Sequence, residues 1–67
     1  MKVIVTYGNN TPLKNCYSLV EGETYADCLK EIFRITDKKY SMDYPYEQYA
    51  DMIEEYNLKQ VPLQPHR

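Results

Sequence analysis

The first twenty residues contain two apolar stretches separated by a turn. Residues 2–7 (KVIVTY) are mostly β-branched or aromatic with little polar alternation, which predicts a strand buried on both faces. Residues 8–12 (GNNTP) favour a turn, because Gly and Asn tolerate the left-handed backbone region and Pro fixes φ. A second strand is predicted over residues 13–20 (LKNCYSLV), so the two strands should pair as an antiparallel hairpin.

Helical spacing of apolar residues begins after residue 24. Thr24 and Asp27 form a capping-box-like start, in which a hydroxyl and a carboxylate satisfy N–H groups of the first helical turn. Apolar side chains then recur at intervals of three and four, at Tyr25, Cys28, Leu29, Ile32 and Phe33. This spacing predicts an amphipathic helix from about residue 25 to residue 35.

A second helix is predicted from about residue 44 to residue 56. Residues 36–42 form a polar connector before it, and we interpret residues 40–42 as a loop in preference to a short edge strand. Pro45 suits the first turn of a helix, where its missing N–H would have no intrahelical partner. The inward stripe of this helix is Tyr46, Tyr49, Ala50, Ile53 and Tyr56.

The last residues favour extended structure over a third helix. Pro62 restricts residues 58–63 to an edge strand or a covering loop, because proline cannot donate a hydrogen bond to a neighbouring strand. We expect residues 64–67 to form a disordered tail. The prediction is therefore one α+β domain over residues 1–63, with an N-terminal β-hairpin followed by two helices and room for a short edge strand near 58–63.

The start of this domain is similar to a known fold. The hairpin beginning at residue 2 and the helix capped just after VEGET (residues 20–24) resemble the opening of a β-grasp, or ubiquitin-like, domain. The resemblance covers about the first 35 residues. An acidic second helix then stands where two further strands would follow in that family, and the diglycine tail used for conjugation is absent. The resemblance therefore implies a topology for the first half and assigns no functional residue.

The size and composition of the chain bound its stability and location. A chain of 67 residues buries only about 60 % of the surface that it exposes when unfolded, so a partner or a second copy is well placed to share the burial. The longest apolar run, residues 3–5, is far shorter than the ~18 residues that a membrane span needs. Because no signal-peptide pattern is present either, we expect a cytoplasmic protein without membrane contact.

The chain offers few residues for catalysis or metal binding. Cys16 and Cys28 are twelve residues apart, which matches no zinc pattern; we interpret them as small core residues, with a strand-to-helix disulfide as the alternative. His66 stands alone in the polar tail, and the only two glycines make no phosphate-binding loop. We therefore expect no enzyme activity, no catalytic residue, no cofactor and no metal site.

The candidate functional surface is the stretch DYPYEQYADMIEEY, residues 43–56. It holds five acidic residues and four tyrosines but no lysine or arginine. On a helix Asp43, Glu47, Asp51 and Glu55 would follow one another at four-residue spacing, where like charges cost a few tenths of a kcal/mol each. Stability of the helix does not explain such a pattern, although a solvated helix face is the common origin of surface carboxylates.

Our hypothesis is that this stretch binds another protein that presents a basic surface. Tyrosine adds large, stiff contact area at small entropy cost, and carboxylates complement a basic groove. The residues predicted to make the contact are Asp43, Tyr44, Tyr46, Glu47, Tyr49, Asp51, Glu54 and Glu55. In composition the chain resembles the small inhibitors that phages and mobile elements make against host nucleic-acid enzymes, including DNA mimics and anti-CRISPR proteins.

Two alternatives belong to other functional classes. The first is a structural or assembly subunit that acts as a homodimer or larger homo-oligomer. The second is a single-stranded nucleic-acid-binding protein, because tyrosines on a small sheet can stack with bases. A net charge of −2 and dispersed lysines and arginines argue against direct nucleic-acid binding.

Overall fold

The computed structural model describes residues 1–65, which form a four-stranded mixed sheet with helices on both of its faces. In chain order the elements are β1 (Lys2–Thr6), β2 (Cys16–Glu21), α1 (Tyr25–Thr36), β3 (Met42–Pro45), α2 (Tyr46–Tyr49), α3 (Asp51–Glu55) and β4 (Lys59–Gln60). The strand order is β3-β1-β2-β4. β1 pairs antiparallel with β2 and with β3, whereas β4 pairs parallel with β2. The predicted small α+β domain is thus confirmed.

β1 runs through the centre of the sheet and buries both of its faces, as its apolar sequence predicts. Val3, Ile4 and Val5 are fully buried. Val3 and Val5 belong to the main core cluster, which includes Cys28 and Ile32 of α1. Ile4 points to the opposite face, because successive side chains of a strand alternate. The central strand therefore anchors both layers of helices.

The connection between β1 and β2 is longer than the sequence predicts. β2 begins at Cys16, because the four preceding residues form turns. In these turns the Cys16 N–H donates to the Leu13 carbonyl at 3.0 Å, and Asn15 adopts a left-handed φ of 62°. Gly8 has a φ of 87°, which residues with a Cβ rarely adopt. The hairpin itself is confirmed.

α1 follows its prediction closely. The Thr24 side chain accepts a hydrogen bond from the Asp27 N–H at 3.2 Å, which is the predicted cap. The helix ends at Thr36, and Asp37 then takes a left-handed φ of 53° while its N–H donates to the Phe33 carbonyl. Phe33 is the exception among the apolar residues of this helix, since 38 % of its surface is exposed.

The main departure is β3, because residues 42–45 were predicted as the end of a loop and the start of a helix. In the structure Asp43 lies opposite Val5, and Tyr44 lies opposite Ile4, along the second edge of β1. This pairing satisfies backbone groups of the central strand that a helix in the same place would leave without partners. Pro45 closes the strand in an extended conformation, with φ −64° and ψ 126°, and the helix starts only afterwards.

α2 covers the face of the sheet opposite to α1, and α3 follows α2 along the chain. Tyr44 shares a face with Ile4, its cross-strand partner, and its ring lies 5.0 Å from the Tyr49 ring of α2. Two short segments replace the single predicted helix, with Ala50 between them. Ala50 itself keeps a right-handed helical backbone, with φ −56° and ψ −36°.

The C-terminal residues return to the sheet and pack against its core. β4 confirms the short edge strand predicted near residues 58–63. The Val61 N–H donates to the Tyr17 carbonyl at 2.8 Å, and the Ser18 hydroxyl donates to the Val61 carbonyl at 2.8 Å. The Gln64 N–H donates to the Tyr7 hydroxyl at 3.3 Å. Residues 66 and 67, the end of the predicted tail, lie outside the described residues.

Candidate protein-binding surface

Four carboxylates of the acidic stretch lie exposed on α2 and α3. They are Glu47, Asp51, Glu54 and Glu55. Asp51 and Glu55 lie four residues apart on α3, which corresponds to about 6 Å along its axis, whereas Glu47 lies on the separate helix α2. Within residues 1–65 no salt bridge or side-chain hydrogen bond engages any of the four. Their charge is therefore directed to the surroundings of the protein.

Two exposed tyrosines accompany these carboxylates. Tyr49 is 42 % exposed and Tyr56 is 61 % exposed. The sequence placed Tyr56 on the inward stripe, yet it follows the last turn of α3 and faces outward. Tyr44 and Tyr46 are half-buried, the latter with the Lys2 ammonium 5.6 Å from the centre of its ring. We call Glu47, Asp51, Glu54, Glu55, Tyr49 and Tyr56 together the acidic face.

Asp43 is not part of the acidic face, contrary to its predicted place on a helical ridge. Its carboxylate lies on the α1 side of the sheet, where it accepts hydrogen bonds from the hydroxyls of Tyr25 and Tyr40. Burial raises the pKa of Tyr25, and the hydrogen bond to Asp43 raises it further. The same two causes, in the same order, raise the pKa of Tyr40 to about 12. Both phenols are thus neutral donors at neutral pH, and Asp43 fastens α1 to β3.

No local sequence signal identifies this role of Asp43. One donor, Tyr40, is three residues away, but the other, Tyr25, is eighteen residues away on another element. The four-residue spacing from Asp43 to Glu47 imitates a helix face, whereas the chain changes from strand to helix between them. Only the pairing of β3 with β1 brings the two donors to the carboxylate.

The outer side of α1 and the turn after it carry the opposite charge. Lys30, Arg34, Lys38 and Lys39 are all exposed there. Arg34 pairs with Glu31, and this contact lowers the pKa of Glu31 and raises that of Arg34. Phe33 lies among these cations, with the Lys38 ammonium 5.4 Å from its ring centre and the Tyr40 ring stacked at 6.2 Å. We call these four cations and Phe33 the basic face.

A cleft of about 430 Å³ borders the acidic face. Met52, Tyr56 and Leu58 line it on the α3 side, and the β1–β2 connection lines it with Leu13 and Asn15. Its described lining also includes Cys16 and carries no charged side chain. The cleft therefore gives an uncharged, partly apolar surface directly beside the carboxylates.

The two cysteines are free thiols in different surroundings. Cys28 is fully buried beneath α1 with its Sγ 3.9 Å from the Val20 carbonyl oxygen, as predicted for a core residue, whereas Cys16 is half-buried at the cleft. Residues 1–65 contain no group of three or more His, Cys, Asp or Glu side chains arranged to hold a metal ion. In the same part of the chain no helix has the length and apolar character to cross a membrane.

Comparisons with known proteins add no relative. The chain matches no protein family, no curated protein and no solved structure. Its function is therefore inferred from the charges, exposure and contacts of its own residues.

Proposed function

We propose that this protein works by binding another protein through the acidic face, and that the partner presents a basic surface. The observation that carries the proposal is the set of four exposed carboxylates, none of which forms a salt bridge within residues 1–65. From residue 40 to residue 58 the sequence contains no lysine or arginine. A basic partner would supply the missing opposite charges.

The physical gain from such a partner has two parts. Complementary charges speed up association and select against partners with an acidic surface. Tyr49 and Tyr56 add contact area, because a tyrosine buries a large ring and presents a hydroxyl while losing little conformational freedom. The uncharged cleft beside Tyr56 would receive an apolar side chain of the partner.

The more specific proposal is an inhibitor of a protein that handles nucleic acid. Asp51 and Glu55 lie about 6 Å apart along α3, which is near the phosphate spacing of a single nucleic-acid strand, and Glu47 and Glu54 add further exposed carboxylates. A groove that binds phosphates would accept such a row in place of its substrate. This mode of action is that of DNA-mimic and anti-CRISPR proteins, which phages and mobile elements encode.

Direct binding of single-stranded nucleic acid is a weaker candidate. The basic face offers cations, but the ring of Phe33 is already in contact with Lys38 and stacked on Tyr40. A base would have to displace these contacts before stacking on that ring. Self-association, the other alternative, is supported by the opposite charges of the basic face and the acidic face.

Affinity capture with a charge-reversed variant tests the proposed function. We would immobilise the wild type, the variant Asp51→Lys/Glu55→Lys and the control Glu21→Lys/Glu23→Lys, which changes the net charge equally at exposed positions outside the acidic face. A lysate of the source cells is passed over all three, after circular dichroism has shown that each is folded. We expect a basic protein to remain on the wild type and the control but not on the first variant.

Two further results would decide the proposal. Retention of the same proteins by all three chains, or by none, would contradict binding through the acidic face. Release of the captured protein by double-stranded DNA, at constant ionic strength, would support the more specific proposal of a nucleic-acid mimic. Insensitivity to DNA would leave a protein-binding module that does not imitate phosphates.

A further inference from the structure

The molecule carries opposite charges on opposite sides of its sheet. α1 and the turn up to Lys39 include four cations and three carboxylates, a net charge of +1, whereas α2 and α3 present four carboxylates and no cation. α1 packs on the face of Val3 and Val5, and α2 packs on the face of Ile4. The basic face and the acidic face consequently point in opposite directions.

The two faces also match in spacing. Lys30 and Arg34 are four residues apart on α1, and Asp51 and Glu55 are four residues apart on α3. Each interval is about 6 Å along its helix axis, so two helices laid side by side bring both pairs of opposite charges together. Tyr56 adds an exposed ring on the acidic face, whereas the Phe33 ring of the basic face is already stacked on Tyr40.

We propose that copies of this chain associate head to tail, with the basic face of one copy against the acidic face of the next. Because the two faces lie on opposite sides of the molecule, a closed two-fold dimer cannot use both of them at once. Each contact leaves one free face at either end, so association continues into an open chain of copies. Since the contact consists largely of exposed ion pairs, it is weak and sensitive to salt.

This inference does not depend on the proposed function, because it requires only the chain itself. Self-association and target binding both use the acidic face, however, so a second copy and a basic target protein would compete for it. Binding of a target protein to the acidic face would then dissociate the head-to-tail oligomer.

Sedimentation velocity over a range of protein concentrations tests the proposal. At low salt, about 0.02 M, the weight-average size of the wild type should grow with concentration beyond that of a dimer, and about 0.5 M salt should return it to the monomer. The variant Asp51→Lys/Glu55→Lys and the variant Lys30→Glu/Arg34→Glu should each weaken association about tenfold or more. The matched controls Glu21→Lys/Glu23→Lys and Lys14→Glu/Lys59→Glu change exposed charges elsewhere and should associate like the wild type.

Mixing the two charge-reversed variants provides the decisive measurement. In each variant alone, residues 30 and 34 carry the same sign of charge as residues 51 and 55, so these two pairs repel each other and the variant stays monomeric. In the mixture the reversed acidic face of one variant meets the reversed basic face of the other, and their unchanged faces also match. Association should therefore return when both are present, which a fault in folding of either variant would not allow.

Several results would overturn the proposal. These are a wild type that remains monomeric at millimolar concentration and low salt, a dimer that does not grow, and a mixture that stays monomeric. A fluorescent single-stranded oligonucleotide is titrated in the same buffer. If the wild type is monomeric and binds it, and Lys30→Glu/Arg34→Glu does not, the basic face belongs to nucleic acid instead.

Discussion

The Tyr25 hydroxyl donates a hydrogen bond to the Asp43 carboxylate, and this contact joins α1 to the edge strand β3. The second carboxylate oxygen accepts from the Tyr40 hydroxyl at 2.9 Å. One carboxylate thereby holds a helix, a strand and the connector between them. Asp43 consequently has a structural role, whereas the four carboxylates of α2 and α3 have no such partners among residues 1–65.

Substitution of Asp43 should therefore lower the free energy of unfolding much more than substitution of Asp51. We expect Asp43→Ala to lower the free energy of unfolding by about 1–3 kcal/mol, because two half-buried phenols lose a charged acceptor. Asp51→Ala, at an exposed position, should change it by no more than about 0.5 kcal/mol. Urea denaturation followed by circular dichroism measures both. Equal effects of the two substitutions would contradict the structural role.

The two phenols also make stability depend on pH in alkali. Burial and the Asp43 bond raise the pKa of Tyr40 from 10.0 to about 12, and the pKa of Tyr25 is raised in the same direction. Above about pH 10 the unfolded chain releases these protons while the folded chain keeps them, so the stabilisation present below pH 10 is lost as the pH rises through the folded values. The urea midpoint should fall more steeply between about pH 10 and 12 for the wild type than for Tyr25→Phe/Tyr40→Phe. Parallel curves would show that other groups cause the loss.

Local sequence patterns predicted those strands and helices that are specified by residues close together in the sequence. β1 is a run of β-branched residues, and α1 has a cap at Thr24 and a repeating apolar stripe. β3 is different, because the free edge of β1 and the donor Tyr25 lie far from it along the chain. Pro45 is compatible with a first helical turn and with the end of a strand, so it did not distinguish the two outcomes.

The exposure of the residues in the candidate site could be predicted only in part from the sequence. A lack of lysine and arginine is visible in the sequence, and the carboxylates of α2 and α3 are exposed as expected. The exposure of Tyr56 was not predicted, because periodicity assigns it to the stripe of Tyr49 and Ile53, and α3 ends at Glu55 before that stripe is completed. The role of Asp43 depends on contacts that exist only after β3 has paired.

The thiols should differ in reactivity. Cys16 is half-buried at the cleft, whereas Cys28 is fully buried between α1 and the sheet. A thiol reagent such as Ellman's reagent should therefore label one cysteine per folded chain, and both in denaturant. Cys16→Ser should remove the native reaction, and Cys28→Ser should leave it unchanged. Two reactive thiols in the folded wild type would mean that α1 does not protect Cys28.

The packing of the C-terminal segment, residues 58–65, against the sheet should depend on the Ser18 hydroxyl. This hydroxyl donates to the Val61 carbonyl at 2.8 Å and lies 2.6 Å from the Tyr7 hydroxyl in a buried position. Ser18→Ala should cost about 1–3 kcal/mol, because buried polar groups lose a partner. Amide hydrogen exchange at Val61 should also accelerate as the segment loosens. Ser41→Ala, at an exposed position, is the control and should alter neither quantity by a comparable amount.

The acidic face should lower the stability of the helix that carries it. Asp51 and Glu55 repel each other at four-residue spacing, and Glu55 places a negative charge at the C-terminal end of α3. Glu55→Lys reverses both effects, so we expect thermal unfolding to show a gain of about 0.5 kcal/mol at low salt. Glu55→Gln should give about half of that gain, and high salt should reduce both. If Glu55→Lys is stabilising and also weakens partner capture, the Glu55 carboxylate contributes to binding and lowers the stability of the fold. A loss of stability in Glu55→Lys would show instead that the Glu55 carboxylate stabilises α3.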